Sequence, residues 1–448
     1  MKLGKPLNKM RDKQLNLLFQ LKNYSKQFQQ KSFAPELDNV IYFPSFTNCI
    51  GTHIVERFSD TKKNILEKIS IIIKDILYSK NYTSHLLYFN KSFKDYNKII
   101  VTWAFKENFN SKGVLKDKYF NISSDQQKKT LWFVIFMGNS TPKKLKKNIV
   151  LLKMFSSKIF GNIIVLKNFF SNFIYIFKNL DYLLFINSNH NFFSKKMVNF
   201  LKPFLNNQVK YLLMPYEGQP FQNEIISYIK QEKNKIKTIG YIHSPPLAMP
   251  SNFLYKYNSP DKIILNGKDQ EKCFTKILGW KKSKVFLFPS FRFLKNKTNI
   301  KKNLIYLPLN VRDIKIVYNS IKFLDNNNFI NLVKFSVKKH PAGNSEKNYK
   351  TKKMIENLIK DAVSVKSKNK ENFLIFIGSS GAIIEALERG NKVIQISDQP
   401  ILDIYSDAIW PSIKRTKLSD NIFLYNLKKK GDLIKLGSNI KNLSKIFN

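Results

Sequence analysis

Residues 373–396 read FLIFIGSSGAIIEALERGNKVIQI, and this stretch decides the fold prediction. An apolar run ends at Gly378, the small residues 379–381 follow, and a helix-like segment leads to a second apolar run at 393–396. This order predicts a strand, a tight turn, a helix and a second strand, which is one βαβ unit of a parallel sheet. The turn brings backbone N–H groups and two hydroxyls to a helix N-terminus, where a phosphate group binds well.

The same alternation of strand and helix patterns runs through most of the chain. Further strands are predicted at 40–43, 97–105, 131–137, 162–167, 182–186, 209–216, 237–243, 262–265, 285–288, 304–307 and 333–337. Helices are predicted at 61–79, 193–204, 221–230, 312–323 and 352–363. Such alternation is typical of parallel sheets covered by helices. We therefore predict an α/β fold with two Rossmann-like domains whose parallel sheets face each other across a cleft.

The polar stretch NKTNIKK at 296–302 is the best candidate for a linker between the two domains. Residues 1–38 are polar and basic, and we interpret them as an N-terminal arm. The predicted N-terminal domain then covers 39–295, and the C-terminal domain covers 303–448.

The charge of the chain is extreme, with a formal net charge of +46 over 448 residues. It indicates a polyanionic partner such as an anionic membrane face, an acidic glycan or nucleic acid. A coding sequence rich in A and T would also produce many lysines, and only six of the 77 basic residues are Arg. The two cysteines form no disulfide framework, so a reducing cytoplasm is the simplest setting. No uncharged stretch reaches the length that spans a bilayer, which leaves peripheral attachment at the inner face of the membrane as the alternative.

Candidate phosphate-binding residues cluster at the ends of predicted strands in the C-terminal half. His340 follows the strand at 333–337 and precedes a proline, which favours an extended conformation. The neighbouring Lys339 adds positive charge, and Glu385 in the helix is a candidate for accepting hydrogen bonds from a ribose. Glu388, one turn further, is expected on a solvated helix face beside Lys392. The candidate phosphate ligands of the turn are Gly378, Ser379, Ser380 and Gly381. One serine of the turn is also expected to cap the helix.

A candidate general base lies in the N-terminal half. Glu217 follows the apolar strand at 209–216, and its apolar surroundings are expected to raise the pKa of the carboxyl toward the range of a general base. The alternative is a carboxylate that stabilises the helix dipole of 221–230. His243, at the end of the next strand, is the second candidate for the base.

Several chemistries have no support in the sequence. There is no DxD, HExxH or CxxC motif, so no metal site is predicted. There is also no GxGxxG or Walker motif, and we predict no cofactor.

Taken together, the segments YEGQPFQNEI (216–225), TIGYIHSPP (238–246), KKHP (338–341) and GSSGAIIEAL (378–387) resemble GT-B glycosyltransferases of bacterial surface-carbohydrate biosynthesis. The HP and SS motifs are similar to those of sialyltransferases, polysialyltransferases and capsule polymerases, which use CMP-activated sugars. The resemblance implies that His340, Ser379 and Ser380 contact the donor phosphate and that Glu217 is the base. Tyr216 stands where that pattern tends to have a second acidic residue. Glu385 resembles the ribose-binding glutamate of UDP-sugar enzymes, so UDP stays open as the nucleotide.

The function that this resemblance implies is a glycosyl transfer that needs no metal, from a nucleotide-sugar donor to a glycan or lipid-linked glycan. The product would be a surface polysaccharide or lipopolysaccharide. A CDP-alditol phosphotransferase is an alternative, because it also needs a basic cleft and an HP motif. A nucleic-acid-binding protein is the alternative of another class. It is disfavoured because no RRM, OB or helix-turn-helix signature is present and the lysines are spread along the chain.

Overall fold

The structure, a computed structural model, describes residues 81–88, 95–120, 122, 128–138, 140–157, 189–245, 251–295, 303–340, 343–362, 373–398, 405, 407 and 409–438. Within this part of the chain, two sheets hold all the named strands. The strands predicted at 40–43, 162–167 and 182–186 and the helix predicted at 61–79 lie outside the described residues.

The first sheet has eight strands in the order β1-β4-β3-β2-β5-β6-β7-β8. The strands are β1 Asn81–Tyr88, β2 Lys98–Ala104, β3 Thr130–Phe136, β4 Ile149–Ser157, β5 Tyr211–Pro215, β6 Lys237–Tyr241, β7 Lys262–Leu265 and β8 Val285–Leu287. Strand β1 is antiparallel to β4, and all other neighbours are parallel. Strand β3, TLWFVIF, is buried along its whole length, as expected for a parallel strand covered on both faces.

The second sheet has six strands in the order β10-β9-β11-β12-β14-β13. The strands are β9 Leu304–Tyr306, β10 Ser336–Lys338, β11 Phe373–Ile377, β12 Lys392–Ile396, β13 Ile413–Ser419 and β14 Ile422–Leu427. Strands β9 to β12 are parallel, whereas β13 and β14 form an antiparallel hairpin at one edge. The predicted α/β class with two parallel sheets is confirmed. We refer to the first sheet with its helices as the first unit, and to the second sheet with its helices as the second unit.

Six α-helices accompany the sheets in the described residues. They are α1 Asn189–Leu201, α2 Pro220–Glu232, α3 Lys268–Lys272, α4 Ile314–Asn326, α5 Glu346–Asp361 and α6 Gly381–Glu388. Their starts follow local sequence rules: Pro220 is the first residue of α2, and the side chains of Asp313, Ser345 and Ser380 cap α4, α5 and α6. None of the described helices is long and apolar enough to cross a bilayer.

One strand prediction is wrong in its bounds. Residues 333–337 were expected to form a strand, but Leu332–Lys334 form a 3-10 turn and the strand covers only Ser336–Lys338. Leu332 and Phe335 are buried in this segment, whereas Val333 is exposed. This spacing of three is that of a 3-10 turn and departs from the alternation of a strand.

The two units are in direct contact. A single cluster of buried apolar residues contains members of both, including Leu265 and Phe274 of the first unit and Phe376 and Ile384 of the second. Buried hydrogen bonds add to this packing, since the Asp269 carboxylate accepts from the backbone N–H (2.8 Å) and hydroxyl (3.1 Å) of Ser412.

The last described segment, 431–437, returns from the second sheet to the first unit. Lys435 N–H donates to the carbonyl of Asn266 (2.7 Å), and Ser290 N–H donates to the carbonyl of Lys435 (2.8 Å). Gly437 forms a parallel bridge with Leu294. Residues 431–437 therefore extend the first unit beyond the end of β8, and we call them the return segment.

Candidate functional site

Glu217 is held rigidly in the turn between β5 and α2. The Gln222 side chain accepts from the backbone N–H groups of Glu217 (2.9 Å) and Gln219 (3.1 Å) and donates to the carbonyl of Pro215 (2.7 Å). The Asn252 side chain donates to the carbonyl of Glu217 (2.7 Å). These hydrogen bonds fix the backbone of the turn, and the fixed backbone sets the direction in which the Glu217 carboxylate points.

Glycine is required directly after this carboxylate. Gly218 has φ +68°, and a Cβ atom there would come within 1.9 Å of the Asn252 carbonyl oxygen. Only glycine adopts this conformation without strain, and only glycine has room for it. The Glu-Gly pair noted in the sequence is thus explained by the geometry of the turn.

Glu217 and His243 form a pair at the carboxyl ends of the neighbouring strands β5 and β6. His243 Nε2 lies 3.2 Å from Glu217 Oε1, and the His243 side chain is only 6% exposed whereas that of Glu217 is 38% exposed. Tyr119 packs its ring edge-on against the imidazole, with 4.7 Å between ring centroids. His243 Nδ1 is enclosed and has no hydrogen-bond partner among the described residues. The carboxylate is therefore the accessible member of the pair.

The expected rise in the pKa of Glu217 is wrong. Burial does push its pKa upward, but the hydrogen bond and the charge of His243, the Gln219 amide and the Arg292 charge together hold the pKa below its ordinary value. The apolar surroundings of Glu217 are evident in the sequence, whereas its contacts with these three polar neighbours depend on the fold. Glu217 is consequently an ionised carboxylate at neutral pH.

Two residues near this pair were not anticipated. Burial and the nearby Glu217 carboxylate raise the pKa of Tyr119 to about 12, so its hydroxyl stays protonated. Arg292 is exposed, and its charge acts on both Tyr119 and Glu217. The Tyr241 hydroxyl holds the loop of Arg292 by accepting from Phe291 N–H (3.1 Å). The scarcity of arginine was the one sequence signal that could have drawn attention to Arg292.

In the second unit, the two serines after β11 have different environments. Ser380 is the N-cap of α6, with its hydroxyl accepting from Ala382 N–H at 3.3 Å. The Ser379 hydroxyl is enclosed and has no hydrogen-bond partner within the described part of the chain. A buried hydroxyl without a partner is costly unless a ligand satisfies it. Gly378, with φ +70°, makes the turn that precedes them.

His340 and Lys339 follow β10 at the same edge of the second sheet, and both are exposed. Partial burial lowers the pKa of His340 from its ordinary value. Strands β10 and β11 flank β9, and Pro308, just after β9, lies between their loops. A Cβ on Gly378 would be 3.6 Å from Pro308 Cβ, and one on Gly343 would be 3.1 Å from the Pro308 carbonyl oxygen. Pro341 lies outside the described residues.

The two glutamates of α6 have structural partners. Glu385 accepts from Arg389 Nε (3.0 Å) and Nη2 (2.9 Å), and its charge helps to raise the pKa of Tyr306 at the end of β9, where burial is the larger cause. Glu385 therefore lies near the strand ends, but it is already paired.

The expectation of a solvated Glu388 is wrong. Its side chain is buried and accepts from the backbone N–H groups of Gly431 (2.7 Å), Leu433 (2.9 Å) and Ile434 (3.1 Å) in the return segment. Glu388, which the helical pattern places on the solvent-exposed face of α6, is instead covered by a segment that lies more than 40 residues further along the sequence.

The two half-sites meet at Gly381, the first residue of α6. A Cβ there would come 3.0 Å from Ser244 Oγ and 3.3 Å from Pro245 Cδ, both directly after His243. The structure thus brings Ser379 and Ser380 to the same junction as Glu217 and His243. Among the described residues, no group of three or more His, Cys, Asp or Glu side chains is arranged to hold a metal ion.

Comparisons with known proteins give little beyond this geometry. No family model and no curated protein matches the chain. One similar solved structure is described as trehalose-6-phosphate from E. coli bound with UDP-2-fluoro glucose. It shares 10% identity, covers 58% of this chain and 68% of that chain, and has a TM-score of 0.31. A likeness this weak carries no inference about activity.

Proposed function

We propose that the protein is a glycosyltransferase that moves a sugar from a nucleotide-activated donor to an acceptor hydroxyl. The observation that carries the proposal is the contact of Gly381 with Ser244 and Pro245. It joins a candidate phosphate site on one parallel sheet to an ionised carboxylate on the other. Ligands of such sheets bind at the carboxyl ends of the strands, and both half-sites lie at such ends.

The donor belongs to the second unit in this proposal. The Ser379 hydroxyl would donate to the phosphate, which would lie at the positive N-terminal end of α6. Lys339 would offset the charge that develops on the leaving phosphate, which is the role that makes a metal unnecessary, and the neutral imidazole of His340 would donate a hydrogen bond to it. Neither Lys338 nor Lys339 takes part in an ion pair within the described part of the chain. CMP is the favoured nucleotide on the HP and SS motifs, and UDP is the second choice.

The acceptor belongs to the first unit. Glu217 would remove the proton from the acceptor hydroxyl, whose oxygen then bonds to the anomeric carbon. The bond from that carbon to the phosphate oxygen breaks, and its electron pair leaves with the nucleotide. A single displacement in which the acceptor oxygen attacks opposite the leaving phosphate would invert the configuration at the anomeric carbon. His243 acts as a positioning residue that keeps Glu217 ionised.

The proposed domain roles follow the predicted division, with 39–295 binding the acceptor and 303–448 binding the donor. The resemblance to surface-carbohydrate enzymes favours a surface polysaccharide or lipopolysaccharide as the product. A cytoplasmic protein at the inner face of the membrane would meet both substrates.

The direct test is nucleotide binding by thermal shift and calorimetry with CMP, CDP, UDP and GDP. A bound nucleotide at a hundredfold excess over Kd should stabilise the protein by about 2.7 kcal/mol. We expect CMP or UDP to bind and the Ser379→Ala variant to lose this binding. If none of the four nucleotides binds, the proposal is wrong. Chelation with EDTA should leave sugar transfer unchanged.

A further inference from the structure

Two large apolar side chains are exposed at the carboxyl edge of the first sheet. Phe105 and Met137 follow β2 and β3 directly and are 43% and 51% exposed. The strands pair in register, with Ala104 opposite Phe136, and Met137 N–H donates to the carbonyl of Ala104 (2.9 Å). The two side chains therefore start from neighbouring positions, and together they present an apolar patch at this edge that stays about half exposed.

The loops that carry this patch are strongly basic. Residues 105–120 and 137–148 hold eight lysines against two carboxylates, which leaves a charge of +6. The lysines, all exposed, are Lys106, Lys112, Lys116, Lys118, Lys143, Lys144, Lys146 and Lys147. None of them takes part in an ion pair within the described ranges. Of the two carboxylates, that of Asp117 is engaged by the backbone N–H groups of Tyr119 and Phe120.

The two loops pack together as one surface. Lys146 N–H donates to the carbonyl of Gly113 (3.0 Å), and a Cβ on Gly113 would come 2.7 Å from the Leu145 backbone. Lys118 Nζ lies 5.8 Å from the centroid of the Phe105 ring, so charge and apolar surface adjoin. We call residues 105–120 and 137–148 the basic–apolar edge.

We propose that the basic–apolar edge rests on an anionic lipid bilayer, with Phe105 and Met137 in the headgroup region and the lysines over anionic headgroups. An acidic polymer in solution would match the lysines but would leave the apolar patch in water. A bilayer matches both features.

The edge is continuous with the candidate site, since Tyr119 within it packs on His243. If the protein is the proposed glycosyltransferase, its acceptor is then lipid-linked and reaches Glu217 from the membrane side.

Cosedimentation with vesicles tests this inference. The full-length chain should bind vesicles of phosphatidylcholine with phosphatidylglycerol, bind those of phosphatidylcholine alone far less, and lose binding as salt rises. Replacing Phe105 and Met137 by Ser should weaken binding on the order of tenfold. Replacing Lys143, Lys144, Lys146 and Lys147 by Gln should weaken it at least as much.

Matched controls lie on the second unit. Val333→Ser with Tyr349→Ser removes apolar side chains that are 42% and 64% exposed. A Gln quadruple variant at Lys353, Lys360, Lys414 and Lys429 removes the same charge from exposed positions. Both control variants should bind vesicles like the unaltered protein. Equal losses in control and edge variants would overturn the proposal, because the attraction would then come from net charge alone.

Two further results distinguish a bilayer from an acidic polymer as the partner, and the membrane proposal from the glycosyltransferase proposal. If heparin binds as tightly as anionic vesicles and the Phe105→Ser/Met137→Ser variant keeps full vesicle binding, the partner is an acidic polymer and the bilayer proposal fails.

Nucleotide binding by thermal shift should be unchanged in all edge variants. Vesicle binding without any nucleotide binding would sink the glycosyltransferase proposal and leave the membrane surface standing, whereas the reverse result would sink only the membrane surface.

Discussion

Gly381 and Ser244 lie so close that one methyl group on the glycine would come 3.0 Å from the serine hydroxyl oxygen, although they belong to different sheets. Gly381 begins the helix of the candidate phosphate site, and Ser244 follows the histidine of the acid–imidazole pair. The spacing between the two half-sites is therefore set at this contact.

Replacing Gly381 by Ala tests whether that contact matters for activity. Alanine favours a helix by up to about 1 kcal/mol over glycine, so the helix itself should not suffer. The added methyl should instead press Ser244 away and reduce sugar transfer, by up to about 100-fold if the shift approaches 1 Å. Steady-state kinetics would measure the loss. Adding Ser244→Gly removes the nearest atom and should restore much of the rate, and a double variant no better than Gly381→Ala would contradict this explanation.

The two serines of the turn should respond differently to replacement by Ala. Ser380→Ala removes the helix cap and should cost about 1 kcal/mol of unfolding free energy. Ser379→Ala removes a hydroxyl that has no partner, so it should leave stability unchanged or improve it while weakening nucleotide binding. Chemical denaturation and calorimetry on both variants separate the roles. Equal nucleotide affinity in Ser379→Ala and the unaltered protein would remove this residue from the donor site.

The Glu217–His243 pair predicts the pH dependence of transfer. Because the pKa of Glu217 is held below its ordinary value, the base should remain active into the acid range, and its activity should fall only at a pH below the ordinary pKa of a glutamate side chain. His243→Phe keeps a ring against Tyr119 but removes the main groups that lower this pKa. Burial then dominates, the pKa rises, and the acid limb of kcat/KM should move to higher pH.

Glu217→Gln is the companion measurement. It should lower kcat by a factor of about 100 or more and spare nucleotide binding. Gln219→Ala removes a smaller contribution and should move the acid limb in the same direction as His243→Phe, but less. An acid limb that stays in place in His243→Phe would mean that Glu217 is not the titrating base.

Glu388 should be important for stability rather than for chemistry. Replacing it by Ala leaves three backbone N–H groups of the return segment without their acceptor in a buried place. We expect a loss of about 3 kcal/mol, measured by urea unfolding. Glu356→Ala, which removes an exposed ion pair with Lys352, is the control and should cost less than about 1 kcal/mol. Similar losses in the two variants would show that the return segment is held by other contacts.

Most of the parallel strands were predictable because their signal is local, although β4 (Ile149–Ser157) was not predicted. Strand β11, FLIFI, is apolar throughout, and β3 is apolar after its first residue. Pro220 and Ser380 start helices by rules that need only neighbouring residues. The positions of Glu217, His243 and Ser379 after strands followed from the same runs. The hairpin of β13 and β14 was missed because β13, IKRTKLS, is mostly exposed and carries charges where a core strand would not.

What the sequence could not supply is contact between distant segments. The pKa of Glu217 depends on Arg292, and the burial of Glu388 depends on residues 431–434. Neither of these contacts between distant segments can be read from local periodicity. The proposed contacts of His340, Lys339 and Glu385 with the nucleotide-sugar donor remain predictions, since they depend on a bound ligand.

The return segment has a consequence for the order in which this protein matures. Residues 431–437 complete the edge of the first unit, yet they are synthesised only after every strand of the second sheet. Domains ordinarily fold as units during synthesis, the N-terminal one first. Here the first unit must wait until residues 435–437 have been made before Asn266, Ser290 and Leu294 find their backbone partners. A nascent chain stopped before residue 431 should therefore expose this edge to proteases, and a chain that includes residues 431–437 should protect it.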